Sequence, residues 1–309
     1  MPVACKSFKD TLAVMREYSR CFLIVLVVSC TANQETTEGD YTDRSQSYPA
    51  LNNRAIQIMD DSGKLHLFRN PPERIISLVP SATETLLALG VREKIVGRTD
   101  YDNLSELIDL PSVGDGLQPN LEILVSLDPD LVIRFEGESN KHTEENLSKM
   151  EITNFAIRPE SIADIKSIIK RLGKITRKTS AADSILGAIE GTLNEVAIHI
   201  EGLPRKKVAY LLGGNPPWVS GPGTYIHELI TAVGAENALG DLQESYAQIS
   251  VEELITRKID LILISEGQDV PQILDTEYIS VPLSVEIPGT RLGEATKTIA
   301  SLIYPKAFK

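Results

Sequence analysis

The sequence predicts an α/β chain of two similar lobes with mainly parallel sheets, joined by a single long helix and separated by a ligand cleft. Three observations predict it. First, residues 120–133 (NLEILVSLDPDLVI) and 250–263 (SVEELITRKIDLIL) align without a gap at an offset of 130 residues. Glu122 matches Glu252, Leu124 matches Leu254, Asp130 matches Asp260 and Leu131 matches Leu261, with Val125/Ile255 and Ser126/Thr256 as near-equivalents. A weaker echo lies upstream of each copy, TETLLALG at 83–90 and HELITAVG at 227–234. Two copies this far apart are no solenoid, whose repeats run from about 20 to 50 residues; they imply two lobes, and two lobes make a cleft. Second, short continuous apolar runs alternate with helical stripes, as strands buried on both faces and their crossover helices do. Third, one long amphipathic stretch separates the two copies.

Taken in order, the chain opens with Arg16 and Arg20 before an apolar run at 22–28, then Ser29 and Cys30. That run is too short to span a bilayer, which needs about 20 apolar residues, but it suits the core of a secretory signal. Val27, Val28, Ser29 and Cys30 resemble a bacterial lipobox, which implies cleavage before Cys30 and lipid on its thiol; Met15 is an alternative start, and an ordinary signal peptide with a chance cysteine is the competing reading. Residues 1–29 are expected to be this leader and 30–53, polar throughout, a flexible tether to a membrane. The three cysteines, Cys5, Cys21 and Cys30, all precede the folded part, which therefore has neither disulfide nor thiolate metal chemistry. The net charge is −12; without residues 1–29 the chain keeps 27 basic and 41 acidic side chains, a net −14 that excludes nucleic acid as a partner.

Residues 74–79 (RIISLV) read as a buried strand broken by Pro80. Ser81 and Glu84 have capping-box spacing, Leu86, Leu87 and Leu89 form a helical stripe, and Gly90 is a stop signal. Further strands are expected near Ile95 and Val96 and over 131–135 and 154–157. From 178 to 201, Ile185, Ile189, Leu193, Val196 and Ile200 fall at spacings of four, four, three and four, one long helix ending at Gly202-Leu203-Pro204. Strands at 207–212 and 261–264, a helix at 224–233 and a second capping-box pair, Ser250 and Glu253, follow. The predicted organisation is a first lobe over 54–177, a connector over 178–204 and a second lobe over 205–309.

RIISLVPSATETLLALG, IVGRTDY, LPSVGDGLQPNLEILVSLDPDLVI and NPPWVSGPGTYIHELITAVGAENALGD, in that order, resemble the solute-binding proteins of ATP-driven importers for cobalamin, haem and ferric siderophores. The cobalamin branch is most similar, through Asn215 to Gly221 and Gly234-x-Glu236-Asn237. The resemblance implies a monomeric receptor without a cofactor of its own, in which a corrinoid, or else haem or a ferric chelate, is caught between lobes whose closure the connecting helix limits. Position by position it implies Pro80 and Ser81 at the cleft, Tyr101 as a cleft tyrosine, Phe135 and Tyr246 where the cobalamin binder has tryptophans, Trp218 in a loop bordering the cleft, and Glu286 facing the ligand. It also implies that Glu122 and Glu252 meet arginines on the two transmembrane subunits. Flat aromatic walls suit a planar macrocycle. The departure is Gly116, where the cobalamin binder has another tryptophan.

Without that resemblance Phe135, an aromatic ending a strand, reads more readily as core, whereas Trp218, the single tryptophan, stands among Pro216, Pro217 and Gly221 where there is little core to enter. In haem binders of this kind the tyrosine at Tyr101 can coordinate iron; a ferric siderophore wants more positive charge than Arg98, Arg134 and Arg291 supply. Catalysis has little support: there is no G-x-S-x-G, G-x-G-x-x-G, Walker or H-E-x-x-H motif, and His66, His142, His199 and His227 are scattered. A Ser220/His227 pair, the one conceivable route to a secreted α/β hydrolase, has no matching acid.

Overall fold

The computed structural model describes residues 55–270 and 276–308; the expected leader, the tether and Cys30 lie outside them. The chain begins with an antiparallel hairpin, β1 (Ile56–Met59) and β2 (Leu65–Phe68). Its turn is organised by buried Asp60, whose carboxylate accepts from the Ser62 and Lys64 amides at 3.0 Å and meets His66 Nε2 at 2.8 Å. The same carboxylate accepts from the Ala156 amide at 3.2 Å, which fastens the hairpin to the first lobe.

That lobe holds a parallel sheet in the order β4-β3-β5-β6, made of β3 (Ile75–Ser77), β4 (Ile95–Gly97), β5 (Leu131–Phe135) and β6 (Asn154–Ile157). Its helices are α1 (Pro80–Ala88), α2 (Leu121–Ser126), α3 (Lys141–Lys149) and α4 (Ile162–Ile175). The capping box expected of Ser81 and Glu84 does not form, because α1 starts two residues earlier. Val79 is the N-cap, without a side-chain bond, and Pro80 takes the first helical position, where its fixed φ fits and its missing N–H costs nothing. A true capping box opens α4 instead, with Ser161 and Asp164 reciprocally bonded.

α5 (Thr179–Ile200) is the expected long helix. Ile189 and Val196 are buried, and Ile185, Leu193 and Ile200 lie half-buried against the same core. It lies close to α4, where a Cβ on Gly173 would come within 2.4 Å of Ala182, so only glycine permits that approach. The second lobe adds α6 (Tyr225–Ala232), α7 (Val251–Thr256), α8 (Leu292–Ile303) and a sheet ordered β10-β8-β7-β11-β12, with β9 (Glu236–Asn237) also on β7. β7 (Lys207–Gly213), β11 (Leu261–Ser265) and β12 (Glu277–Val281) are parallel, while β8 (Trp218–Ser220) and β10 (Tyr246–Gln248) form an antiparallel margin. One apolar core runs through both lobes by way of α4, α5, α6 and α8, and each sheet has a smaller core on its other face.

The duplication is visible in detail. α2 and α7 have the same length, capped by Asn120 and Ser250. Each is followed by a residue at positive φ, Asp128 at 46° and Lys258 at 51°. Asp130 then accepts from the amides of Glu73 (2.7 Å) and Arg74 (3.0 Å), and Asp260 from that of Lys207 (2.7 Å). The repeated aspartate thus pins the entry of each lobe's first parallel strand to the strand beside it.

Candidate functional site

Parallel strands present the carboxyl ends of both sheets, where open α/β sheets hold their ligands. Between the lobes lies a cavity of about 330 Å³ lined by Phe135, Glu136, Arg158 and Glu160 from the first lobe and by Leu212, Tyr225, Tyr246 and Glu286 from the second. Beside it, on the first lobe, a cavity of about 510 Å³ is bounded by Leu78, Pro80, Tyr101, Asp115 and Leu117. Phe135 and Glu136 line both. Half-buried Phe135, the last residue of β5, is therefore core on one side and wall on the other.

The structure brings Pro80, Tyr101, Phe135, Tyr246 and Glu286 around these spaces. Ser81 is buried, in close approach to Gly289 of the second lobe, and lines neither cavity. The start of α1 offers few free donors: Pro80 has no N–H, and the Ala82 and Thr83 amides both donate to the Val79 carbonyl. Trp218 stands on β8 opposite Gln248, on the face that carries Tyr246 and diagonal to it; 47% exposed, it extends that aromatic wall beyond the enclosed space. At Gly116 a Cβ would approach the Leu78 carbonyl oxygen to 2.2 Å, so no side chain fits unless the loop withdraws, and Leu78 and Leu117 form the wall there.

Charge in the cleft is mostly negative. The lining holds four carboxylates, Asp115, Glu136, Glu160 and Glu286, against one guanidinium, Arg158, itself paired with Glu136. Glu286 accepts from Tyr210 at 2.7 Å and from Ser265, both at Oε1. Burial first, and the Glu286 carboxylate second, hold the Tyr210 phenol far above its ordinary range. Tyr101 donates to Asp115 at 3.2 Å, and that bond raises its phenol as well. The arginines expected to supply positive charge are committed elsewhere. Arg98 donates to the Thr99 carbonyl, buried Arg134 is held by Asn154, the Phe135 carbonyl and Glu144, and Arg291 pairs with Glu84.

A family model described as periplasmic binding protein matches residues 75–277. The chain belongs to the periplasmic binding protein family. It is 24% identical over 306 residues to an uncharacterized ABC transporter substrate-binding lipoprotein of Bacillus subtilis, covering 92% of this chain and 95% of that one. It is 27% identical over 268 residues to a cobalamin-binding protein of Halobacterium salinarum, covering 82% and 70%. Two solved structures share the fold: the vitamin B12 binding protein of Vibrio cholerae (TM-score 0.68, 21% identity, 77% of this chain and 99% of that one) and a heme-binding protein of Roseiflexus sp. RS-1 (0.67, 23%, 76% and 99%).

Ser220 and His227 are each bonded to other partners. Ser220 Oγ is hydrogen-bonded to Thr224 Oγ1 at 2.7 Å, and His227 Nδ1 faces Asn237 Nδ2 at 3.1 Å. Among the described residues no three His, Cys, Asp or Glu gather as a metal site. Glu122 and Glu252 stand exposed at equivalent positions in the first turns of α2 and α7, away from both cavities, and beside them Val125 and Ile255 are exposed apolar equivalents. Reading the sequence missed Asp115, Glu136 and Glu160, since an acid in a loop carries no signal that separates a cleft from open solvent, and it missed Tyr225, which opens α6 and is buried.

Proposed function

We propose that this protein is the extracytoplasmic receptor of an ABC importer, that its ligand is a corrinoid of the cobalamin type, and that it carries out no chemistry on it. The proposed organisation is a leader over 1–29 cleaved before a lipid-bearing Cys30, a tether over 30–53, and lobes over 54–177 and 205–309 about a connector over 178–204. Glu122 and Glu252 are its proposed contacts with the two transmembrane subunits. Relatives named cobalamin-binding and vitamin B12-binding support the ligand class, and heme-binding structures of the same fold keep haem as the second reading.

The observation that favours the corrinoid is the Tyr101–Asp115 hydrogen bond. A tyrosine that ligates ferric iron does so as phenolate, and an acceptor carboxylate opposes the loss of its proton. Tyr101 is therefore suited to stack on or donate to a macrocycle rather than to bind iron. A ferric siderophore ranks third, since the one lining guanidinium is already paired.

Adding cyanocobalamin to the apo-protein should quench Trp218 saturably, one to one, at or below the micromolar range. If neither cobalamin nor cobinamide binds, while hemin gives a Soret shift that Tyr101→Ala abolishes, the haem reading replaces this one.

A further inference from the structure

The lining charge has a consequence for which corrinoid is taken. We propose that the cleft discriminates among corrinoids by charge and prefers those lacking the nucleotide loop, cobinamide-type, over complete cobalamin. This rests on the corrinoid reading of the cleft. A complete cobalamin carries a phosphodiester in that loop; with the same upper ligand, the loopless form has one more net positive charge. The two cavities present Asp115, Glu136, Glu160 and Glu286 and the single base Arg158. Three of the four acids have partners fixed by the fold: Asp115 accepts from the Leu117 amide and Tyr101, Glu136 from Arg158, and Glu286 from Tyr210 and Ser265. Those bonds hold the carboxylates in place and, except at Glu136, leave the charge uncancelled, because amide and hydroxyl donors are neutral. Glu160, exposed on the loop after β6, is the carboxylate that a substitution can neutralise without disturbing packing. A phosphodiester entering this space meets like charge, whereas a cationic corrin and the N–H groups of its peripheral amides meet acceptors.

One added positive charge roughly 8 Å from a net three negative charges across water gains about tenfold in affinity at low salt, fading as the Debye length contracts to about 8 Å at 0.15 M. The test is a tryptophan-quenching titration of wild type and Glu160→Gln with cyanoaquocobinamide and with cyanocobalamin, at 10 mM and at 300 mM salt. The expected result is cobinamide tighter by about tenfold at low salt, a gap that narrows at high salt and shrinks about threefold in Glu160→Gln. Binding of both ligands with equal affinity, or a gap insensitive to salt and to Glu160→Gln, overturns the charge selection and leaves the corrinoid reading standing. Failure of both ligands to bind wild type overturns the corrinoid reading itself, and the selection with it.

Discussion

Replacing Arg291 by methionine removes a bond that joins the two lobes. Arg291, at the start of α8, meets Glu84 of α1 through two contacts, Nη2 to Oε1 at 2.5 Å and Nε to Oε2 at 3.1 Å. The Glu84 side chain is 13% exposed and that of Arg291 37%, so the pair lies between the two regimes measured for ion pairs. Exposed pairs contribute about 0 to 1 kcal/mol, and breaking a fully buried one costs about 3 to 5. A paired geometry with one well-covered partner places the coupling near 1.5 kcal/mol, which for a chain of this size moves Tm by about 3 to 6 °C. The assay is a double-mutant cycle, Arg291→Met with Glu84→Gln, read by urea denaturation with the m-value checked for constancy. Lys94–Glu73, an ion pair within the first lobe whose glutamate is 67% exposed, serves as the control and should couple by less than about 0.5 kcal/mol. A coupling at 84/291 within about 0.3 kcal/mol of zero would refute the reasoning, because additive mutants do not share a bond.

Reversing both exposed acids, Glu122→Lys with Glu252→Lys, should abolish importer docking and uptake while ligand affinity stays within about threefold, since neither residue lines either of the two cleft cavities; undiminished uptake removes the docking role. Cys30→Ala should release a folded, ligand-competent protein from membranes, and absence of palmitate label on Cys30 in the intact protein would sink the lipoprotein proposal. Burial alone would raise the Asp60 carboxyl, but bonds from His66, Ser62 and the Ala156 and Lys64 amides outweigh it and hold it well below the ordinary carboxylate range. A depressed folded value contributes stability that is complete above the unfolded pKa of about 4 and is lost as falling pH titrates the folded carboxylate. Asp60→Asn should therefore destabilise at pH 7 and flatten the decline below about pH 4, and stability curves that stay parallel to wild type would contradict this. Tyr225 places a buried hydroxyl at the cavity with no hydrogen-bond partner, so Tyr225→Phe should leave thermal stability of the apo-protein equal or up to about 1 kcal/mol higher, and a loss above that margin would show a bond the structure lacks.

The parallel strands were legible because a strand covered on both faces is apolar at nearly every position, and 131–135 and 154–157, whose exceptions Arg134 and Asn154 are buried and bonded to each other, are observed at the expected bounds. The long helix was equally plain, since its stripe from Ile185 to Ile200 repeats over about four turns. The hairpin of β1 and β2 was not legible: Met59, Leu65 and Leu67 point outward while His66, tied to Asp60, points in, so the apolar alternation that marks a half-buried strand runs the wrong way. The antiparallel margin escaped for another reason, three-residue strands being shorter than any period can register. In the cleft, the aromatics could be placed by resemblance. Glu286 could be placed in the same way, but Asp115, Glu136 and Glu160 could not, because the contacts that orient such acids at the cleft, Tyr101 on Asp115 and Arg158 on Glu136, form only on folding.

The connector bears on how an importer distinguishes a full receptor from an empty one. α5 runs 22 residues, about 33 Å, and is held along its length by α4 and α8 through close approaches at Gly173 and Gly293. A strut fixed at so many points leaves little swing between the lobes, so occupancy alters the outline of the molecule far less than in receptors that shut like a jaw. The acidic tips on α2 and α7 then keep nearly the same separation whether or not the cleft is filled. With docking through Glu122 and Glu252 as proposed, empty molecules should compete with loaded ones for the same permease, and transport should pass through a maximum as receptor is added at fixed ligand, slowing once the vacant form outnumbers the filled.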